Sequence, residues 1–163
     1  MITLRPMTTA FILNGESILM IKRSLHKELH PGKWAGIGGH IEMEEFKKPQ
    51  YACLREINEE TGLKEHDLSN LELRYIVLSR ESNEIRQQFI YFAFSLKREI
   101  HSSGEGELKW ILKKDVMKLE MPPSHRMVLN HYLDHKGDDP DVFVGTKTIN
   151  PENQQVQWHL LNQ

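Results

Sequence analysis

The sequence contains one cysteine among 163 residues, Cys53, so no disulfide can form within the chain. No stretch approaches the roughly 18 consecutive apolar residues of a membrane-spanning helix, and the first ten residues do not have the apolar run and cleavage site of a signal peptide. These absences predict a cytoplasmic protein that does not insert into a membrane. The neighbours Ala52, Leu54 and Ile57 indicate that Cys53 packs in a helix core.

The sequence also has no strong excess of charge of one sign. Lysine and arginine total 21 against 23 acidic residues, which leaves a net charge of -2 and no general attraction to duplex nucleic acid. Any binding of phosphate must therefore be local, and basic residues do cluster at Lys22, Arg23, Lys27 and Lys33. The chain is long enough for one continuous core, so we expect one site on one domain.

Alternation of apolar residues and turn signals predicts an α/β fold. Asn14-Gly15 and Ser82-Asn83 each indicate a tight turn between two strands. The predicted elements are strands 3–13 and 17–22, helix 49–61, strands 71–79 and 87–96, strand 108–112, a short helix capped by Asp115, and helix 124–135. After a break at 137–140, the tail 141–163 alternates around Asn150-Pro151, which predicts a terminal hairpin.

A glycine-rich segment precedes the first predicted helix. Gly36, Gly38 and Gly39 lie within residues 33–41. This density indicates backbone that turns sharply or approaches another group closely.

Helix 49–61 carries three carboxylates on one side. Glu56, Glu59 and Glu60 stand at spacings of three and four, while Cys53 and Ile57 project from a different side. Like charges at this spacing destabilise a helix by a few tenths of a kcal/mol per pair. A hard cation such as magnesium, which prefers carboxylate oxygens, would remove that repulsion. The alternative interpretation is a solvated acidic face.

The residues around these acids decide between the two interpretations. The segment GGHIEMEEFKKPQYACLREINEETGL resembles the Nudix box, whose pattern is Gly, five residues, Glu, seven residues, then Arg-Glu-apolar-any-Glu-Glu-any-Gly-apolar. Residues 55–63 match every position of the second half, and Gly39 and Glu45 match the first half. Nine residues, instead of seven, separate Glu45 from Arg55. Pro49 places the two extra residues in the entry loop or the first helical turn.

The resemblance implies a Nudix-type α/β/α sandwich around a mixed β-sheet, here with an added C-terminal β-hairpin. We expect residues 1–136 to form the Nudix hydrolase domain and residues 137–163 to pack on it as an extension. The protein would be a monomer or a homodimer.

The resemblance also implies a magnesium site, with manganese as an alternative ion. Glu56, Glu59 and Glu60 would be metal ligands or the base, and the carbonyl of Gly39 would be a further ligand. Relatives often take another acid from a later loop or strand, for which Glu105 and Glu107 are both candidates, with surface charge as the alternative. The predicted metal ligands are thus Gly39, Glu45, Glu56, Glu59, Glu60, and Glu105 or Glu107.

Residues in three further roles are predicted at that site. Arg55, four residues before Glu59, would orient the acids by ion pairing, and the predicted catalytic set is Glu59, Glu56 and Arg55. Arg23 and Lys33 are the candidates for binding substrate phosphate. His125 stands where MutT-like enzymes carry a base-reading asparagine, which weakens an assignment to 8-oxoguanine.

Three functions are consistent with these residues. The first is a MutT-like nucleoside triphosphate pyrophosphohydrolase that sanitises oxidised purine nucleotides such as 8-oxo-dGTP. The second is hydrolysis of a nucleotide sugar, a dinucleotide or the 5′ end of RNA. The third is a non-catalytic nucleotide-binding or interaction module, which predicts a box with missing acids, whereas this box is intact.

Overall fold

The computed structural model describes residues 1–135, 141–147 and 156–161. In these residues, α1 and α3 cover the two faces of a mixed sheet. The strands are β1 Thr3–Asn14, β2 Ser17–Arg23, β3 Trp34–Ala35, β4 Ile37–His40, β5 Leu68–Glu81, β6 Glu84–Ser95, β7 Gly106–Leu112, β8 Phe143–Lys147 and β9 Val156–Leu160. The helices are α1 Pro49–Thr61, α2 Lys113–Val116 and α3 Pro123–Asp134, with 3-10 turns at Met43–Glu45 and Glu65–Asp67.

The strand order is β3-β2-β1-β6-β5-β8-β9, with β4 also pairing with β1 and β7 with β2. The central pair β1 and β6 is parallel, whereas the hairpins β1–β2 and β5–β6 are antiparallel. Parallel and antiparallel pairs in one open sheet confirm the predicted mixed sheet, and the helices on its faces confirm the α/β/α sandwich.

Alternate residues of the central strands supply two hydrophobic cores, one on each face. On the α3 face, Phe11, Tyr75 and Phe92 pack against Val128 and Leu129. On the α1 face, Ile12 and Tyr91 are among the residues that pack with Cys53 and Ile57 of α1. Burial raises the pKa of the Cys53 thiol to about 12, so this residue packs as expected and carries no thiolate at neutral pH.

The glycine-rich segment forms two short strands that the sequence pattern did not indicate. Gly38 and Gly39 pair with Thr9 and Thr8 of β1. A Cβ atom on Gly38 would stand 2.0 Å from the Thr8 carbonyl oxygen, so only glycine fits there. Close approach was predicted, but glycine is a poor strand former, and the strand itself was therefore missed.

The predicted cap at Asp115 is wrong. The helix α2 begins at Lys113, directly after β7, and Leu112 occupies the N-cap position. Asp115 lies inside this helix, and its carboxylate accepts a hydrogen bond from Lys118 at 2.6 Å.

The described part of the tail adds two strands to the sheet. The strand β8 pairs in parallel with β5, and β9 pairs with β8, so the strands of the added C-terminal hairpin are confirmed. Phe143 and Trp158 pack against Tyr75. The predicted break at 137–140 and turn at Asn150-Pro151 lie outside the described residues, and the boundary between residues 136 and 137 stays a prediction.

The helices of the described residues are too short or too polar to cross a membrane. The longest, α1, has 13 residues, whereas a span needs about 20.

Candidate active site

Two carboxylates of α1 lie against the backbone of β4. The N–H of Gly38 donates to Glu60 Oε2 at 3.2 Å, and Glu60 is only 8% exposed. Gly39 borders Glu56 so closely that an added Cβ would stand 2.5 Å from Glu56 Oε1. The two glycines therefore bring the strand backbone into contact with the acids of the helix.

Burial disfavours the negative charge on both acids. It raises the pKa of Glu60 to about 8, with a further contribution from the nearby Glu56 carboxylate. It also raises the pKa of Glu56, against the opposing effect of Arg55. Glu59 is different, because its side chain is 57% exposed. A cation bound beside Glu56 and Glu60 would compensate their buried charge.

Arg55 connects the acids of α1 to the preceding 3-10 turn. Its guanidinium donates to both oxygens of Glu45, at 2.8 and 3.0 Å, and to Glu56 at 2.9 Å. It also donates to Glu59 at 3.3 Å and to the His40 carbonyl at 3.0 Å. The hydrogen bonds from Arg55 hold the pKa of Glu45 below its usual value. Despite the two extra residues, Glu45 is thus attached to the acidic helix.

These side chains border a cleft of about 520 Å³. The predicted site residues that line it are Arg23, Gly39, Arg55, Glu56, Glu59, Glu60 and Glu105. Glu45 is not among the lining residues, but Arg55, which is, binds its carboxylate. Lys33 does not contribute to the lining.

The structure places the two alternative metal ligands, Glu105 and Glu107, in different surroundings. Glu105 lines the cleft and forms an ion pair with Lys27. Glu107 is outside the lining, and its ion pair with Lys109, 2.6 Å long, lowers its pKa.

A smaller cavity of about 60 Å³ adjoins the cleft and shares Arg23 and Gly38 with it. His125 lines this cavity, although only 6% of the residue is exposed. Its Nδ1 accepts a hydrogen bond from the Gly36 N–H at 3.2 Å, and burial lowers its pKa to about 3. The imidazole is therefore neutral at physiological pH, and its contact with substrate stays a prediction.

Residues 3–132 match the family model of the NUDIX domain. This chain belongs to the Nudix family. The prediction that the chain is a member of the Nudix family is thereby confirmed. The chain is 34% identical over 96 residues to a probable Nudix hydrolase of Schizosaccharomyces pombe, a match that covers 58% of this chain and 32% of that protein. The chain thus spans about a third of that relative.

Solved structures share the fold of this Nudix domain. The MutT protein of Bacillus halodurans has a TM-score of 0.73 and 22% identity, over 96% of this chain and 97% of that chain. The MutT Nudix hydrolase of Burkholderia pseudomallei has a TM-score of 0.67 and 24% identity, over 78% and 97% of the two chains. The Nudix domain of Shewanella oneidensis NrtR, solved with ADP ribose, has a TM-score of 0.65 and 17% identity, over 83% and 89%.

Two basic residues that line the cleft together with residues of the Nudix box were not predicted as site residues. Arg5 of β1 and Lys27 of the loop after β2 both line the cleft. In the sequence, Lys27 is only one member of a basic cluster, and Arg5 lies 34 residues before Gly39. No local pattern marks these positions, because the pairing of β1 with β4 brings Arg5 to the site.

Nudix hydrolases generally use a divalent metal ion, and the chemistry of this cleft fits one. In the described residues, no three His, Cys, Asp or Glu side chains form a ready-made cage. The predicted donors, which are glutamate side chains and the Gly39 carbonyl, are nevertheless all oxygens, and two of the acids, Glu56 and Glu60, are held in surroundings that penalise their charge. Carboxylates that share an ion with water and substrate phosphates are the coordination that magnesium prefers.

Proposed function

We propose that this chain is a magnesium-dependent nucleoside triphosphate pyrophosphohydrolase of the MutT type. The observation that carries the proposal is a pair of carboxylates, the buried Glu60 and the half-buried Glu56, packed against β4 glycines in a cleft that also contains Arg23. A bare acidic face would be solvated, whereas these acids lie where a cation and a phosphate chain would both fit.

Glu56, Glu59, Glu60 and the Gly39 carbonyl would hold the magnesium ion, or manganese in its place. When bound, such an ion neutralises phosphate charge and lowers the pKa of a coordinated water. Glu105 could complete the oxygen donors, because it lines the same cleft. Its release from Lys27 would then free that ammonium group for substrate phosphate.

Arg55 positions the acids, and Arg23 binds the substrate. The Arg55 guanidinium is fully engaged by carboxylates and the His40 carbonyl, so we assign it to positioning. Arg23 donates through Nε to the Leu29 carbonyl at 2.8 Å, and this contact anchors the side chain between the cleft and the adjoining cavity. A guanidinium in this place suits bidentate contact with phosphate.

The nucleoside triphosphate is favoured by the fold neighbours that are MutT proteins. Oxidised purine nucleotides such as 8-oxo-dGTP are candidate substrates within this class. A second candidate is a nucleoside diphosphate linked to another group. It is favoured by the fold neighbour solved with ADP ribose, a molecule of that class.

A hydrolysis screen with product analysis tests the proposal. Canonical and oxidised nucleoside triphosphates, nucleotide sugars and dinucleotides are incubated with magnesium and the full chain. Pyrophosphate plus a monophosphate indicates a triphosphate substrate, and two monophosphates indicate a linked diphosphate. Failure to turn over any of them would overturn the proposal in favour of a binding module.

Variants locate the activity in the cleft. Glu59→Gln and Glu60→Gln should lower kcat by about 10²-fold or more and weaken magnesium binding measured by calorimetry. Glu72→Gln, at an exposed position of β5, is the matched control and should change neither. Full activity in both cleft variants would contradict the assignment of the site.

A further inference from the structure

Cationic side chains form a row across four strands of the sheet. Arg5 of β1 is the register partner of Arg86 of β6, which is paired with Ser79 of β5, which in turn is paired with Lys147 of β8. Register partners on neighbouring strands project to the same face. We call Arg5, Arg86 and Lys147 the cationic row.

The row lies on the α3 side of the sheet, next to the core residues, and the first turn of α3 lines the same cavity as Arg86. Tyr75 and Val77 of β5 belong to the core under α3, and Ser79 is the next residue on that face. In β8, Phe143 stacks on Tyr75, so Lys147, four residues later, projects to the same side. At this level three of the four register partners carry charged side chains in place of the apolar residues of the core.

The row connects the cleft with the C-terminal hairpin. Arg5 lines the cleft, and Arg86 lines the adjoining cavity together with Arg23 and His30. With strands about 4.8 Å apart, three strand spacings carry the row about 14 Å from β1 to β8. The hairpin thereby contributes Lys147 to the surroundings of the proposed active site.

The basic residues in this region differ in whether a carboxylate holds them. Glu84 pairs with both Arg5 and Arg86, and Glu81 pairs with Arg86. Among the described residues, the ion pairs include no carboxylate partner for Arg23 or Lys147. Arg23 also faces the Glu60 carboxylate in the cleft, but neither Arg23 nor Lys147 is held by an ion pair with a described residue, so both can still contact an anion.

The cavity beside the row has the size of a small anionic group. Its volume of about 60 Å³ corresponds to roughly two water molecules and is well below the volumes of about 300 Å³ or more that enclose drug-sized ligands. His30 in its wall has a lowered pKa, because of burial and of the nearby Lys33, Arg23, Lys147 and Arg86. A neutral nucleobase would leave Arg23 and Lys147 without a paired anion, whereas a phosphate group would pair with them.

We propose that Arg23, Arg86 and Lys147 form a subsite for a second phosphate group of the substrate, outside the phosphoanhydride that is cleaved. The inference rests on the proposed function only for the position of the reacting phosphates. It favours a nucleotide that carries an additional phosphate ester. It also assigns a function to β8, whose Lys147 completes the subsite.

Equilibrium binding tests the subsite without any turnover. The full chain is titrated by calorimetry with AMP, adenosine 2′,5′-bisphosphate and adenosine 3′,5′-bisphosphate, none of which contains a phosphoanhydride. At least one bisphosphate should bind about tenfold more tightly than AMP, which is the size expected for an added charge-assisted contact. Lys147→Gln should reduce this advantage to threefold or less and leave AMP binding unchanged.

Two further variants separate the subsite from general effects. Lys147→Arg keeps the charge and should keep the advantage of the bisphosphate. Lys114→Gln removes an exposed charge on α2, outside both cavities, and should also keep it. Equal binding of AMP and both bisphosphates, no binding of any of the three, or an advantage that survives in Lys147→Gln would overturn the subsite.

The outcome of this binding experiment does not depend on the outcome of the hydrolysis screen. Tight bisphosphate binding without turnover of any nucleotide would retain the subsite and overturn the proposed function. Turnover of nucleoside triphosphates without any bisphosphate advantage would retain the proposed function and overturn the subsite.

Discussion

Arg55 donates two parallel hydrogen bonds to Glu45, from Nε to Oε1 at 2.8 Å and from Nη2 to Oε2 at 3.0 Å. The remaining nitrogen, Nη1, donates to Glu56 Oε1 at 2.9 Å. One planar guanidinium thus joins the turn Met43–Glu45 to an acid of the proposed metal site. Since the fork fixes the angle between these groups, its geometry should matter as well as its charge.

Arg55→Lys should lower kcat by about 10- to 100-fold, the range found when groups that orient metal ligands are changed. Lysine keeps the charge but cannot form the two parallel bonds, so KM should change much less than kcat. Steady-state kinetics of Arg55→Lys, Glu45→Gln and the double variant would measure the coupling. The double variant should be less impaired than the sum of the single effects predicts.

The control for Arg55 is Arg80→Lys, at an exposed position where Arg80 donates a hydrogen bond to the Ser82 carbonyl. It should leave kcat unchanged. An additive double variant, or wild-type kcat in Arg55→Lys, would contradict the positioning role.

Gly39→Ala should impair the site through steric contact. The added Cβ would stand 2.5 Å from Glu56 Oε1, so the carboxylate must move. A displacement of about 1 Å can cost 10²-fold in rate, and we expect a loss of that order in kcat together with weaker magnesium binding.

Gly15→Ala, in the turn between β1 and β2, provides the comparison for Gly39. An alanine Cβ at Gly15 would meet no atom within 4 Å, although its φ of +56° disfavours alanine. It should lower the free energy of unfolding by about 1 kcal/mol without changing kcat. Normal kcat and magnesium affinity in Gly39→Ala would show that neither activity nor magnesium binding depends on the position of the Glu56 carboxylate.

Glu105 and Glu107 should differ in their effect on activity. Glu105→Gln should lower kcat by about 10-fold or more because the residue lines the cleft beside Lys27. Glu107→Gln should remain within about twofold of wild type, since its partner is the exposed Lys109. Each variant is the control for the other in the same assay, and equal losses in both would contradict the assignment.

His125 should make the free energy of unfolding depend on pH in acid. Burial lowers its pKa from the ordinary 6.5 to about 3, so the unfolded chain binds the proton first as the pH falls. The stabilisation is fully present above pH 6.5 and declines between pH 6.5 and 3, at a limiting slope of about 1.4 kcal/mol per pH unit.

Urea unfolding of wild type and His125→Asn between pH 7 and 4 measures this effect. Asparagine has an acceptor for the Gly36 N–H but does not titrate in this range. The free energy of unfolding of the wild type should fall more steeply with decreasing pH than that of the variant. Parallel curves would show that His125 is protonated in the folded protein as easily as in the unfolded chain.

The central part of the candidate site could be predicted from the sequence because it is local. Glu56, Glu59 and Glu60 are one helical turn or less apart, and Pro49 and Gly62 mark the two ends of their helix. Helical spacing alone therefore placed the acids on one side and Cys53 in the core on another. The hairpin around Asn14-Gly15 was predictable for the same reason, since its turn is encoded in adjacent residues.

What only the tertiary structure decided depends on pairing between distant segments. The contact of Gly39 with Glu56 requires β4 to lie beside α1, and the bond from Arg55 to Glu45 requires the turn before the helix to fold back. The cationic row needs the registers of β1, β6, β5 and β8 all at once. A shift of one residue in any register would turn the charge of that strand to the opposite face. The sequence by itself thus determined the family, the helix and its acids, whereas strand register decided which basic residues surround them.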